Sequence, residues 1–306
     1  MVNLTADSAI MVKAPAKINL FLEINGLLDN GYHNISSIAT PISLYDNLSF
    51  QLIHEGIDFK CTSSDTSLQE NNIVIQAARL LKEKYHVDKG IEIKLVKNIP
   101  VGAGLGGGSS DAASTLSTLN ILWDLSLSKR DLMKIAATLG ADVSLFLENG
   151  PVHMRGAGEK ITKVNSQINK MFFIIISPSF SISTKKVYEN MRIPSKIEMR
   201  SPAAMIEGLK SGRFDMVANN IFNRLQETAF RIEPRLKDIH EEICSAFNKD
   251  FFMSGSGSSL FLCCDSENEA VHVAEKIDSY NEISVCTASM ISSIGSNDVN
   301  IKQKAH

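Results

Sequence analysis

The stretch Pro100-Val101-Gly102-Ala103-Gly104-Leu105-Gly106-Gly107-Gly108-Ser109-Ser110-Asp111-Ala112-Ala113 decides how the rest of the chain is read. Five glycines in seven residues remove side chains and leave a row of backbone N–H groups. A helix is predicted directly behind them, from Asp111 to Trp123, buried on most sides and rich in Ala, Leu and Ser. Unpaired amides and the positive end of a helix dipole then converge on one spot, an arrangement that holds an anion, phosphate above all. A Walker A loop would carry Lys after its last glycine, and Ser109 stands there instead. A dinucleotide fingerprint, G-x-G-x-x-G, is literally present at Gly102, Gly104 and Gly107. Its ribose-binding acid would be Asp124, which follows a helix rather than a strand. A flexible linker is the plain alternative, but linkers are rarely followed so tightly by a buried helix. The remaining reading is a P-x-x-x-G-L-G-x-x-S-S-x-A-A loop. Pro100 leads in, Gly104-Leu105-Gly106 turns, and Ser109 and Ser110 offer hydroxyls to phosphate or magnesium.

The chain as a whole is ordinary for a globular protein: 306 residues, 44% hydrophobic, 21% charged, net charge −3. One large or two ordinary domains are expected. The charge offers no basic surface for a nucleic-acid backbone. Cys61, Cys244, Cys263, Cys264 and Cys286 are odd in number and contain no C-x-x-C pair, so a disulfide framework or zinc site is not expected. There is no basic, apolar leader, and the run Met171 to Ile176 is too short to span a bilayer, so a cytoplasmic location is expected.

Strands are predicted at Ala9–Lys13 and Ile18–Ile24, with a tight turn at Asn30-Gly31. Leu48–Ile53 and Ile57–Cys61 read as a hairpin across His54-Glu55-Gly56, and Ile91–Lys97 as a half-buried strand. Ile73–Tyr85 is an amphipathic helix, and Lys129–Leu139 a second one capped by Ser128 and ended by Gly140. After about Pro151 the pattern changes. Met171–Ile176 is a strand, and Lys185–Phe247 is mainly helical with breaks at Pro194, Pro202 and Pro234. The ending, Phe251–Met253, Leu260–Cys263, Glu267–Tyr280 and Ile283–Cys286, reads as a β-turn-β-α-β unit, and Asn297–His306 as a frayed tail.

Four further segments carry chemistry. Lys17, in Ala14-Pro15-Ala16-Lys17-Ile18-Asn19-Leu20, sits inside an apolar strand and must snorkel to water or meet a carboxylate or phosphate. Tyr32 and His33 follow the Asn30-Gly31 turn, as the end of a hairpin or as a base-reading pair. Asp142, in Gly140-Ala141-Asp142-Val143-Ser144, is a turn cap or a group in need of a partner. Phe252 to Ser259 holds a second glycine turn around Gly255, Ser256 and Gly257.

Loop and marks together resemble the GHMP kinases, in order from Lys17 to Ser259, and most closely the branch acting on 4-CDP-2-C-methyl-D-erythritol. The resemblance implies an α+β, two-domain GHMP kinase fold, with an N-terminal domain like ribosomal protein S5 domain 2 over residues 1–165. It implies a ferredoxin-like C-terminal domain over 166–306, with the site in the cleft between them. It implies ATP-dependent phosphorylation of the acceptor's 2-hydroxyl in the non-mevalonate isoprenoid pathway, with Mg2+, a small-molecule partner, and neither nucleic acid nor membrane.

By the same resemblance Asp142 is the catalytic base and Lys17 its neighbour. The run from Pro100 through Ser110 holds ATP, flanked by Asn72 and Lys97 at the adenine. Asn19, Tyr32, His33, Thr184, Tyr188, Gly255, Ser256 and Gly257 meet the acceptor, and no protein metal ligand is fixed. Ser144 replaces the proline usual after this aspartate, and Lys185 and Lys186 match nothing. Other readings are a homoserine or mevalonate-type GHMP kinase, a dinucleotide-dependent oxidoreductase, or a nucleotide-binding regulator without catalysis. The last would lack Lys17 or Asp142.

Overall fold

The computed structural model describes residues 9–62, 69, 71–168, 170–193, 195–196, 198–277, 282–292 and 299–302. The first sheet grows from two long strands, β1 (Ala9–Leu27) and β2 (His33–Ile53), paired antiparallel along their length. The chain runs straight through Pro15, where two separate strands were expected. The ladder shifts register between Pro15 and Ala16, so the proline's missing N–H falls where no ladder bond is required.

The expected hairpin across His54-Glu55-Gly56 does not form. β3 (Ile57–Cys61) pairs parallel with β4 (Gly90–Val96), and β4 itself pairs antiparallel with β2, so β4 lies between the two predicted partners. Helix α1 (Ile73–Lys84) makes the crossover from β3 to β4. Parallel neighbours require such a crossover, and a hairpin turn cannot supply it. β5 (Val152–Gly156) and β6 (Lys160–Lys163) extend the sheet from the upper half of β2 and were not anticipated.

Helix α2 (Gly107–Leu122) packs against α1 and β1, with Ala112, Ala113, Leu116 and Leu119 buried. Its small residues permit that close approach, and each buried leucine contributes roughly 1.5–3 kcal/mol of apolar transfer. Helix α3 (Lys129–Leu139) starts as expected, Ser128 accepting from the Asp131 N–H. A short 3-10 helix, Ser144–Leu147, follows.

The second sheet is antiparallel throughout, in the order β11 (Ile283–Ser289), β7 (Phe172–Pro178), β10 (Leu260–Cys264), β9 (Phe252–Met253). Helix α9 (Glu267–Ile277) packs on it, and the rest of the predicted helix to Tyr280 lies outside the described residues. The helical stretch resolves into α4 (Thr184–Glu189), α5 (Ala203–Ser211), α6 (Phe214–Ala218), α7 (Gln226–Ile232) and α8 (Pro234–Phe247). The expected break at Pro234 is present: α7 ends at Ile232 and Pro234 begins α8, where its missing N–H costs nothing in a first turn. Pro194 lies outside the described residues.

Two later segments return to β1. β8 (Phe222–Asn223) pairs parallel with Phe21–Leu22, and β12 (Val299–Lys302) pairs antiparallel with Ala9–Val12, where a frayed tail was expected. A core containing Ile18, Leu20, Leu105, Phe173 and Phe261 joins the two sheets. All five cysteines are free, and burial pushes the Cys264 thiol up to about 12.

Candidate active site

The glycine loop folds through three residues at positive φ, Gly102 (67°), Gly104 (78°) and Gly106 (71°). Helix α2 starts at Gly107, four residues before the expected Asp111, because Gly106 caps it in the left-handed conformation. No side chain caps this end, so the first-turn amides of Gly107, Gly108 and Ser109 remain for a ligand. A Cβ on Gly107 would sit 3.0 Å from Ile99 Cγ2, close enough that the isoleucine would have to shift by a few tenths of an ångström.

Lys17 reaches this loop from β1. Its backbone N–H donates to Leu105 O at 2.9 Å, and its ammonium to Gly104 O at 2.9 Å and Asn19 Oδ1 at 2.6 Å. Asp142, in the turn after α3, places Oδ2 3.7 Å from the same ammonium. Burial lowers the Lys17 pKa, and the Asp142 charge opposes that shift. Asn19 is fixed in turn: its Nδ2 donates to Ser37 Oγ at 2.8 Å, and Ser37 donates to Phe21 O at 2.8 Å. That leaves Asn19 Oδ1 facing Lys17. Ser144 is buried, and its hydroxyl donates to Met133 O at 3.3 Å.

The second glycine turn packs directly on the first. A Cβ on Gly104 would meet Ser254 O at 2.2 Å, and one on Gly255 would lie 3.2 Å from Lys17 Nζ. Ser254 Oγ donates to Gly104 O at 3.0 Å, and Ser259 N donates to Ala103 O at 3.0 Å.

These elements surround a cavity of about 1250 Å³. Single-ligand pockets run ~300–1,000 Å³, so two substrates side by side fit this volume. Pro100 to Gly104, Gly106 to Ser109, Asn72, Lys97, Asn19, Tyr32, His33, Thr184, Tyr188, Gly255 and Ser256 all line this one cavity, together with Lys17 and Asp142. Leu105, Ser110 and Gly257 do not line it. Leu105 is turned into the core, Ser110 is buried, and Gly257 packs on Met253. Tyr32 is 66% exposed, while the His33 ring lies against Tyr188 with centroids 5.1 Å apart. Burial raises the Tyr188 pKa and lowers that of His33. Thr184 Oγ1 and Ser256 Oγ are hydrogen bonded at 2.7 Å. Lys185 lines the cavity.

Asn72 is the N-cap of α1, its side chain accepting from Val74 N at 2.9 Å. Lys97 is held between two buried carboxylates: its ammonium pairs with Asp46, and with Asp111 Oδ2 at 2.9 Å. Asp46 Oδ1 also accepts from the Asn98 and Ile99 N–H groups, at 2.6 and 2.8 Å, just before the loop begins. Burial raises the Asp111 carboxyl to about 8, with Lys97 pulling the other way. Two carboxylates facing one ammonium in a dry site favour retaining a proton.

Sequence reading missed Asp46, Asp111 as a charged group, Ser37 and Ser254. A signal existed for Asp46: like Lys17, it is a charge inside a strand whose neighbours Leu48 and Phe50 point to the core.

A loop of this kind, joined to a Lys–Asp pair in a cleft, defines a small-molecule kinase. The chain belongs to the GHMP kinase family: the models "GHMP kinases N terminal domain" and "GHMP kinases C terminal" match residues 72–150 and 205–283. At the level of individual proteins its relatives are 4-diphosphocytidyl-2-C-methyl-D-erythritol kinases. The one from Clostridium kluyveri is 35% identical over 276 residues, 90% of this chain and 98% of that relative. The one from Clostridioides difficile is 35% identical over 282 residues, covering 92% and 95%. A crystal structure of a 4-(cytidine 5'-diphospho)-2C-methyl-D-erythritol kinase superposes with a TM-score of 0.76 at 31% identity, covering 91% of this chain and 98% of that one. Among the described residues no helix is long and apolar enough to cross a membrane.

Proposed function

We propose that this kinase transfers the γ-phosphoryl group of ATP to the 2-hydroxyl of 4-CDP-2-C-methyl-D-erythritol, giving ADP and the 2-phosphate. The observation that carries the reading is the Lys17–Asp142 pair at 3.7 Å, in one cavity with the uncapped start of α2. Asp142 accepts the hydroxyl proton as the oxygen attacks phosphorus. Lys17 favours the ionised form of Asp142 and stabilises charge on the attacking oxygen and the γ-phosphate. Its bonds to Asn19 and Gly104 O hold the ammonium at the junction of the two substrates. Phosphoryl transfer needs mainly positioning and charge stabilisation, so a set this small is sufficient.

The loop Pro100 to Ser110 holds the phosphates through its amides, with Asn72 and Lys97 toward the adenine. Tyr32, His33 and Tyr188 read the cytosine by stacking and edge bonding, with Thr184, Gly255 and Ser256 along the acceptor. Magnesium fits as a phosphate-bound ion. Among the described residues no group of three His, Cys, Asp or Glu side chains could hold it alone, and Ser110 Oγ is buried without a hydrogen-bond partner. Ser109 or Ser110 would complete a shell of phosphate oxygens and water. When bound, the ion neutralises phosphate charge. The division near residue 165 is supported by the strands: β6 ends at Lys163 in the first sheet, and β7 opens the second at Phe172.

The test is an ADP-release assay on 4-CDP-2-C-methyl-D-erythritol, homoserine and mevalonate. Turnover on the cytidine compound alone is expected. Preference for either other acceptor would refute the substrate.

A further inference from the structure

Asn223 belongs to none of the glycine or catalytic motifs, yet its side chain joins them. It sits in β8, which pairs with Phe21–Leu22 a few residues beyond Lys17 and Asn19 on β1. The segment is pinned there. Arg224 N donates to Leu22 O at 2.8 Å, and the Arg224 guanidinium makes a two-pronged pair with buried Glu23, both bonds at 2.8 Å. From this anchored position the Asn223 amide points at the second glycine turn. Its Nδ2 donates to Met253 O at 2.7 Å and to Gly255 O at 2.8 Å, while its Oδ1 accepts from Leu225 N at 2.9 Å. The amide is buried, and both of its N–H bonds end on the one turn.

That turn has little freedom to move without consequence. Ser254 touches Gly104 and Asn19, and Gly255 stands against Lys17. Two carbonyls that lose their donors in a dry site swing to find others. The Gly104 and Lys17 contacts would shift with them.

We propose that Asn223 is a positioning residue for phosphoryl transfer: its two amide bonds set the Ser254–Gly257 turn, and through it the placement of Lys17 against the phosphate loop. The proposal rests on the kinase reading above. It differs from a purely structural role in where the damage falls. The chemical step should suffer, because displacement of about 1 Å at reacting groups is costly, while nucleotide binding by the α2 amides should not.

The test compares two substitutions in the same segment of the full chain. Asn223→Asp keeps the shape and replaces two N–H donors by at most one, the proton that a buried carboxyl facing carbonyls can retain. Arg224→Lys keeps a cation opposite Glu23, loses the fork, and leaves the amide bonds intact. Backbone hydrogen exchange across 253–259 should rise about tenfold or more in Asn223→Asp and less than about twofold in Arg224→Lys. In turnover, Asn223→Asp should lose about tenfold or more in kcat with KM for ATP changed less than about threefold; Arg224→Lys should keep kcat within about twofold at a lower melting temperature. Exchange and kcat of Asn223→Asp close to wild type would overturn the proposal, as would a kcat loss that follows melting temperature equally in both variants. The exchange comparison needs no acceptor, so a wild-type enzyme inactive on the cytidine compound would refute the substrate reading and leave this test standing.

Discussion

Lys17 Nζ lies 3.7 Å from Asp142 Oδ2, while its closer contacts are Asn19 Oδ1 at 2.6 Å and Gly104 O at 2.9 Å. The ammonium is therefore fixed by neutral oxygens, and the carboxylate keeps its lone pairs for a substrate. In the proposed mechanism Asp142→Asn removes the proton acceptor and little else. Its kcat should fall by ~10²–10⁴, the usual worth of general-base catalysis. Nucleotide affinity by calorimetry should stay near wild type. Retained turnover would take the base role away from Asp142.

The buried Asp46–Lys97–Asp111 cluster should write itself into the pH dependence of stability. Burial puts the folded Asp111 carboxyl at about 8, from an ordinary value of 3.8. The native state therefore holds a proton that the unfolded chain has shed. That contribution is complete below the unfolded value and is lost as pH rises through 8. Asp111→Asn keeps a neutral side chain at every pH, so it should gain on the wild type between pH 5 and 9, by ~1–4 kcal/mol in urea unfolding. A stability difference that is constant over this range would mean that Asp111 is ionised throughout.

Tyr32 is two-thirds exposed, so Tyr32→Ala should leave the melting temperature unchanged. Loss of one stacking face costs ~1–3 kcal/mol per base, which predicts a rise of about tenfold or more in KM for the cytidine acceptor and none in KM for ATP. An unchanged acceptor KM would contradict the base-reading role.

Two glycines of one loop should respond oppositely to alanine. At Gly104 the φ of 78° is unfavourable to a side chain and a Cβ would meet Ser254 O at 2.2 Å, so Gly104→Ala should destabilise by ~1–3 kcal/mol and lower kcat. At Gly108 the nearest atom would be Ile73 Cγ2 at 3.7 Å, an ordinary contact within a helical turn. Gly108→Ala should gain ~0.4–1 kcal/mol of stability while raising KM for ATP, since Gly108 lines the cavity. Equal melting temperatures for the two variants would refute the packing account.

The phosphate loop, Lys17 and Asp142 were legible because each breaks a local rule: glycines where a helix should begin, and charges beside apolar runs. Apart from the charge of Asp46, the unanticipated part of β2, from His33 to Asn47, breaks no rule visibly. Its Ser36, Ser37, Thr40 and Asp46 look like loop residues, and only the fold shows that all four are buried. Ser37 and Ser36 find partners at Phe21 O and His153 Nε2, which lie 16 and 117 residues away along the chain. The insertion of β4 between β2 and β3 is likewise invisible locally, since adjacent strands with a short connection suggest a hairpin. Asn223 was hidden for a related reason: its neighbours read as helix, and its meaning lies 30 residues away at Met253.

The return of β8 and β12 to the outer side of β1 has a consequence for anyone handling the protein in pieces. Among the described residues, the strand partners on the second edge of the strand that carries Lys17 are segments near residues 222 and 300, with Leu105 O meeting the Lys17 N–H between them. A recombinant fragment stopping near residue 165 would expose that edge as a row of unsatisfied amides and carbonyls and should precipitate or pair with itself. During synthesis, the ribosome must deliver some 200 further residues after β1 before that edge begins to close. In the interval, the uncovered part of that edge is open to pairing with another chain.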